Sequence, residues 1–258
     1  MFYQQQIRDI PAVNPNFWSF AITGQVQRPL ILSLADLLAL PTQTVLCAIA
    51  CAKPGKDSPL IGEATWRGVP LRALLNQVVI DPSVRYARLS AADGYTTVLP
   101  IERLASTLLA YEMDGAPLPL EHGYPARLIA PGLHGYKMAK WIERIELRDS
   151  ADGGFWESRG FSVDGEASVK AAILVSTPSI NGVTLTGIAY AGLRQIESVQ
   201  VSIDDGDWMP VPFQPGNPTT LTHWQIEWTP PASGTYHARV RASSASNGAE
   251  HSLVVRVD

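Results

Sequence analysis

Two hydrophobic periods alternate along the first 160 residues. In VPLRALLNQVV (69–79), Leu71, Leu74, Leu75 and Val78 recur at i, i+3, i+4 and i+7, which predicts a helix with one buried face. SLADLLALP (33–41) predicts a short helix with Ser33 as N-cap and Pro41 just past its end. ERLASTLLAYEM (102–113) reads as a third helical piece. YARLSAADGYTTVLP (86–100) predicts two strands around Asp93 and Gly94. ARLIAP (126–131) and WIERIELRD (141–149) read as strands, the second apolar at Trp141, Ile142, Ile145 and Leu147.

After Asp164 the pattern becomes purely strand-like. SVKAAILVSTP, VTLTGIAYA, IESVQVSID, HWQIEWTP, GTYHARVRA and HSLVVRV are separated by turn residues such as Asp205-Gly206 and Asn247-Gly248. Short alternating strands at regular spacing predict an antiparallel β-sandwich. The expected architecture is an α+β domain over residues 1–161 followed by an all-β sandwich over 162–258. The boundary is expected near Ser162–Ala167 in the turn-rich FSVDGEAS, with Gly153-Gly154 as a second candidate.

The chain has 258 residues, 46% of them hydrophobic and 17% charged, enough to bury a sizeable core. A net charge of -4 gives no electrostatic reason to expect nucleic acid or an anionic membrane as partner. No apolar run is long enough for a spanning helix, and MFYQQQIRDIPAV lacks the basic start and apolar run of a signal peptide. G-x-S-x-G, P-loop and G-x-G-x-x-G motifs are absent.

Two segments carry candidate chemistry. In TVLCAIACAKPGKDSP (44–59) an apolar run ends at Cys51, beside Lys53, Pro54, Gly55 and Lys56. Neighbouring cations favour thiolate, a soft metal ligand. Cys47 and Cys51 alone are too few for a disulfide framework or a structural zinc site, and two buried thiols are the plain alternative. LEHGYPARLIAPGLHGYKMAKW (120–141) holds His122, Arg127, His134, Lys137 and Lys140, spaced by Gly123, Gly132 and Gly135. Glycine permits close backbone approach, and guanidinium and ammonium groups suit phosphate. The segment reads as an anion cradle, with a solvated basic loop as the alternative.

The stretch DGYTTVLP … LLAYEMDGAPLPLEHGYPARLIAPGLHGYKMAKWIERIEL (93–147) resembles the molybdopterin-binding domain of the sulfite oxidase family. WSFAITGQVQRPLILSLADLLALP (18–41) and PLIGEATWRGVPLRALL (59–75) extend the resemblance. VSIDDGDW (201–208) and YHARVRA (236–242) are similar to the family's immunoglobulin-like dimerisation domain. The resemblance implies a molybdenum–molybdopterin cofactor and one cysteine on the metal. Spacing from Pro41 and from Trp66 in related sequences makes that residue Cys51, leaving Cys47 a buried neighbour. It further implies Tyr3, Gln4, Asp93, His122, Arg127, Met138, Ala139 and Lys140 as cofactor-binding residues. The redox chemistry then belongs to the cofactor, with the protein orienting it.

Several family features differ here. QQQ (4–6) replaces an R-N-H motif, and Phe161 stands where a tyrosine follows W-x-x-R. Ala52-Lys53-Pro54-Gly55 follows the metal cysteine, and a W-N-x-R-G motif is missing. These losses weaken the case for sulfite as substrate. The reading is therefore a two-electron oxidoreductase acting on a small molecule. It exchanges electrons with an external redox protein such as a cytochrome, and dimerises through its C-terminal domain. A non-catalytic relative kept as a binding or assembly module is the alternative; a zinc or thiol enzyme using both cysteines is a third. The family's asparagine before F-Y has no counterpart here. A chain trimmed from a longer, extracytoplasmic protein and a complete cytoplasmic one are both consistent with that start.

Overall fold

The computed structural model describes residues 2–53, 55, 59–180, 182–245 and 247–257. The chain divides into two compact units, residues 1–49 with 62–165, and residues 50–61 with 166–258.

The first unit is built on two sheets. One has the order Leu30–Ser33, Ser19–Gly24, Ile142–Arg148, Tyr86–Ala91, Thr96–Pro100. Its centre pairs Ser19–Gly24 parallel to Ile142–Arg148, and the other ladders are antiparallel. The second runs Gln43–Ala50, Ile61–Pro70, Leu108–Met113, Ala116–Pro117, with Arg127–Ile129 also pairing with Leu108–Met113. One core joins them, including Trp18, Phe20, Ile22, Trp66, Leu89 and Ile145. Each such side chain contributes roughly 1.5–3 kcal/mol by leaving water.

The α+β expectation for this unit is overturned. Over both units together strands hold 47% of residues and helix, 3-10 turns included, only 9%, and the α-helices of the first unit are three short ones. These are Leu34–Leu38, Leu71–Leu75 and Ile101–Leu104. Helices of four or five residues gain little from intrahelical hydrogen bonds, so they serve as corners between strands. Ser33 does cap the first, in a reciprocal box with Asp36. Leu71, Leu74 and Val78 are buried on the predicted face, but the helix stops at Leu75.

The largest departure lies in 102–113. Its second half, Leu108–Met113, is a strand rather than helix. Leu108, Leu109 and Ala110 pair with Pro70, Val69 and Gly68 on one side and with Ile129, Leu128 and Arg127 on the other. An apolar run this short fits either period, and two flanking strands decide for the sheet.

The second unit contains a three-stranded sheet, Lys170–Ser179, Gly182–Tyr190, Thr222–Trp228. It also has a four-stranded one, Met209–Pro210, Ser198–Ile203, Gly234–Ser244, Asn247–Val257. All described ladders are antiparallel. Ile173, Leu185, Val201, Trp224 and Val240 share a core between the two sheets, forming a sandwich. Among the described residues, no helix is long and apolar enough to cross a membrane.

Candidate cofactor site

The site in the first unit is assembled from three segments of the basic, glycine-spaced stretch. Leu120–His122 forms one 3-10 turn and Gly135–Lys137 another, with the strand Arg127–Ile129 between them. Gly123, at φ 113°, ends the first turn in the left-handed region. A Cβ there would lie 3.0 Å from Arg127 Cβ and 3.1 Å from Lys140 Cβ. Glycine is therefore what allows His122, Arg127 and Lys140 to converge.

Arg127 is the centre of the cluster. It is buried, and its Nη1 donates to the His122 carbonyl at 3.0 Å, Nη2 to the Met138 carbonyl at 3.4 Å. Its guanidinium lies 4.9 Å from the centre of the Trp66 ring. No carboxylate pairs with it among the described residues, and its buried Nε has no hydrogen-bond partner. Burial lowers its pKa to about 10, with Tyr3 and Cys47 opposing. Lys140 Nζ donates to the Glu121 carbonyl at 2.8 Å and to Gln6 Oε1 at 3.1 Å, and sits 4.4 Å from the Trp141 ring centre. Burial, then Arg127, lower its pKa to about 8, against Asp93 and Glu121. Burial and Arg127 likewise hold the His122 imidazole below its ordinary value.

The N-terminal aromatics close one side. Phe2 stacks on Tyr3 at 5.6 Å and meets Trp66 and His122 edge-on at 5.7 and 5.5 Å. Gly62 makes room for it, since a Cβ there would lie 2.8 Å from the Phe2 ring. Met138 and Ala139 are buried, and their carbonyls accept from Arg127 and from the Leu128 amide at 2.9 Å. Asp93 is buried and accepts from the Tyr95 amide at 2.9 Å. Gln4 is exposed. Gln6, which contacts Lys140, was not singled out by the sequence pattern; its neighbours in QQQ are chemically identical.

Two basic residues of the stretch play other parts. Lys137 is wholly buried and paired with Glu157. His134 is buried and donates its amide to the Gly165 carbonyl at 2.8 Å. Trp141, fully buried at φ 51°, holds a conformation rare for a bulky residue, and its indole N–H donates to the Leu120 carbonyl at 2.8 Å. Such a backbone costs about 1–3 kcal/mol and persists where surrounding contacts over-determine it.

The two thiols differ. Cys47 is buried in its strand, and burial pushes its pKa up to about 12. Cys51 follows the end of that strand and belongs to the second unit. It is partly exposed, and its amide donates to the Leu60 carbonyl at 2.8 Å. Lys170, also in that unit, is held below its ordinary pKa by burial, with the Cys51 thiol opposing. Pro54 and Lys56 of the predicted turn lie outside the described residues. Among the described residues no group of three or more His, Cys, Asp and Glu side chains is placed to hold a metal ion.

A buried guanidinium beside a half-buried ammonium, neither paired with a carboxylate among the described residues and one donor still unpartnered, suits an anionic, hydrogen-bonding group. The molybdopterin fits: its phosphate and polar ring match these donors. The family model described as "Oxidoreductase molybdopterin binding domain" matches residues 7–156. The chain is 33% identical over 151 residues to "Uncharacterized oxidoreductase YuiH" of Bacillus subtilis, covering 58% of this chain and 74% of that protein. It is 28% identical over 256 residues to the sulfite oxidase of Gallus gallus, covering 80% of this chain and 56% of that enzyme. The chain thus spans little more than half of the chicken protein. A solved structure of the sulfane dehydrogenase SoxCD from Paracoccus pantotrophus superposes with a TM-score of 0.81 at 24% identity, covering 97% of this chain and 72% of that one; this likeness speaks to the fold. The chain belongs to the sulfite oxidase family of molybdopterin oxidoreductases, and its cofactor is molybdenum–molybdopterin.

Proposed function

We propose that this protein is an enzyme catalysing a two-electron oxidation or reduction of a small molecule, passing electrons to or from a separate redox protein. The observation that carries it is Arg127, whose buried, carboxylate-free guanidinium retains an unpartnered Nε beside His122 and Lys140. A module without a cofactor has no use for an uncompensated buried cation, which costs stability. This favours the enzyme over a non-catalytic relative.

In this reading Tyr3, Gln4, Asp93, His122, Arg127, Met138, Ala139 and Lys140 hold the pterin, and Cys51 provides the protein's sulfur to molybdenum. The bound cofactor supplies the two-electron redox capacity. Arg127 and Lys140 offset the phosphate charge, His122 and the 138–139 backbone orient the ring, and Phe2 with Trp66 shields that side from water. Residues 1–161 form the catalytic domain, and residues 162–258 a dimerisation domain. The relatives named a sulfite oxidase and a sulfane dehydrogenase support a small-molecule substrate. Phe161 in place of a phenol, and QQQ in place of a cationic motif, point away from sulfite itself.

Metal and pterin analysis of the purified protein tests the reading. Expression in a host that makes the cofactor should give molybdenum and molybdopterin close to one per chain. Folded protein free of both would sink it.

A further inference from the structure

We propose that the buried Lys137–Glu157 ion pair is a positioning device that sets the His134–Lys140 loop for cofactor retention; the inference rests on reading His122, Arg127 and Lys140 as the pterin cradle. The pair lies outside that cradle and is not used by the chemistry assigned above. Lys137 Nζ donates to the Val98 carbonyl at 2.6 Å and to Glu157 Oε1. The same carboxylate oxygen accepts from Thr97 Oγ1 at 2.6 Å and from the Val98 amide at 3.2 Å. Both side chains are nearly inaccessible, at 0% and 6% exposure.

Buried ion pairs are poor sources of stability, because desolvation offsets their attraction and an apolar pair of similar volume often does as well. Their benefit lies in fixed geometry. Here the pair locks the loop at the residue just before Met138, whose carbonyl accepts from Arg127. Three residues beyond the lock is Lys140. Two more contacts act in the same direction: the Tyr95 hydroxyl donates to the Tyr136 carbonyl, and the His134 amide to the Gly165 carbonyl. Gly165 lies so close that a Cβ there would come within 2.5 Å of the Lys137 stem. The loop is thus clamped on one side and offers its acceptor and its cation on the other.

The double variant Lys137→Met with Glu157→Gln tests this, since it removes both charges and leaves neither buried alone. The expected result is an unchanged unfolding midpoint for the cofactor-free protein, with molybdopterin retained after gel filtration falling roughly 10-fold, as for loss of other outer contacts. Wild-type retention would show the pair to be structural only and overturn the proposal. Should the double variant not fold, Glu157→Asp decides, because it keeps the charge but withdraws the acceptor by one methylene. Reduced retention at an unchanged midpoint supports positioning, and wild-type retention refutes it. Arg127→Gln serves as control. Full cofactor in that variant would sink the cradle reading itself; its loss there, with full retention in the double variant, would sink only the positioning role.

Discussion

Arg127 Nη1 donates to the main-chain carbonyl of His122 at 3.0 Å, closing a short loop around Gly123. This contact holds the guanidinium without neutralising it. Arg127→Gln removes a buried charge that no carboxylate compensates. The cofactor-free variant should unfold at or above the wild-type midpoint, whereas its molybdopterin content should fall by roughly 10-fold or more. Calorimetry and pterin fluorescence read the two quantities separately, and a variant with normal cofactor content would contradict the cradle.

Gly123→Ala should damage the same site through the backbone. Its φ of 113° is unfavourable for any Cβ, which would also press on Arg127 and Lys140. We expect a loss of about 1–2 kcal/mol from the left-handed conformation alone, measured by urea unfolding, together with weaker cofactor retention. Unchanged stability would mean that the turn relaxes freely.

Lys140 makes the cofactor-free protein more stable as pH rises through the mildly alkaline range. Its folded pKa of about 8 lies below the ordinary 10.5. Between those values the unfolded chain binds the extra proton, so stability rises with pH across that window and the full cost of the charge is felt below pH 8. The wild-type midpoint should therefore gain on that of Lys140→Met as pH increases from 8 to 10. Cofactor affinity should move oppositely, weakening above pH 8 as the ammonium is lost. Parallel midpoints for the two proteins would show that Lys140 is not depressed.

The cysteines should be separable by reagent and by substitution. Cys47 is buried with its thiol pushed up to about 12, while Cys51 is partly exposed. A thiol alkylator applied to folded, cofactor-free protein at pH 8 should add one group, at Cys51, by peptide mass. Cys51→Ala should abolish activity and leave the fold intact, whereas Cys47→Ala should cost about 1 kcal/mol and keep activity. The reverse pattern would assign the metal to Cys47.

Much of the site was legible because its residues are close in sequence. His122, Arg127 and Lys140 fall within nineteen positions, with Gly123 between them, and cations among glycines already suggest an anion cradle. Local chemistry likewise announced the Ser33 cap and the Asp93–Gly94 turn between Tyr86–Ala91 and Thr96–Pro100. Lys137 looked no different from Lys140. What separates them is Glu157, twenty residues further on, whose carboxylate captures one ammonium and not the other.

By itself the sequence determined the family and the cofactor and singled out the segments proposed to carry chemistry, since motif spacing is a one-dimensional property. It also determined the antiparallel sandwich, whose alternation is local to each strand. Only tertiary structure decided that Leu108–Met113 joins a sheet, because its ladder partners at 66–70 and 127–129 are remote. The same holds for Arg127. Its sequence neighbourhood shows a basic residue; its burial over Trp66, its missing counter-charge and its unpartnered Nε arise from packing between distant segments.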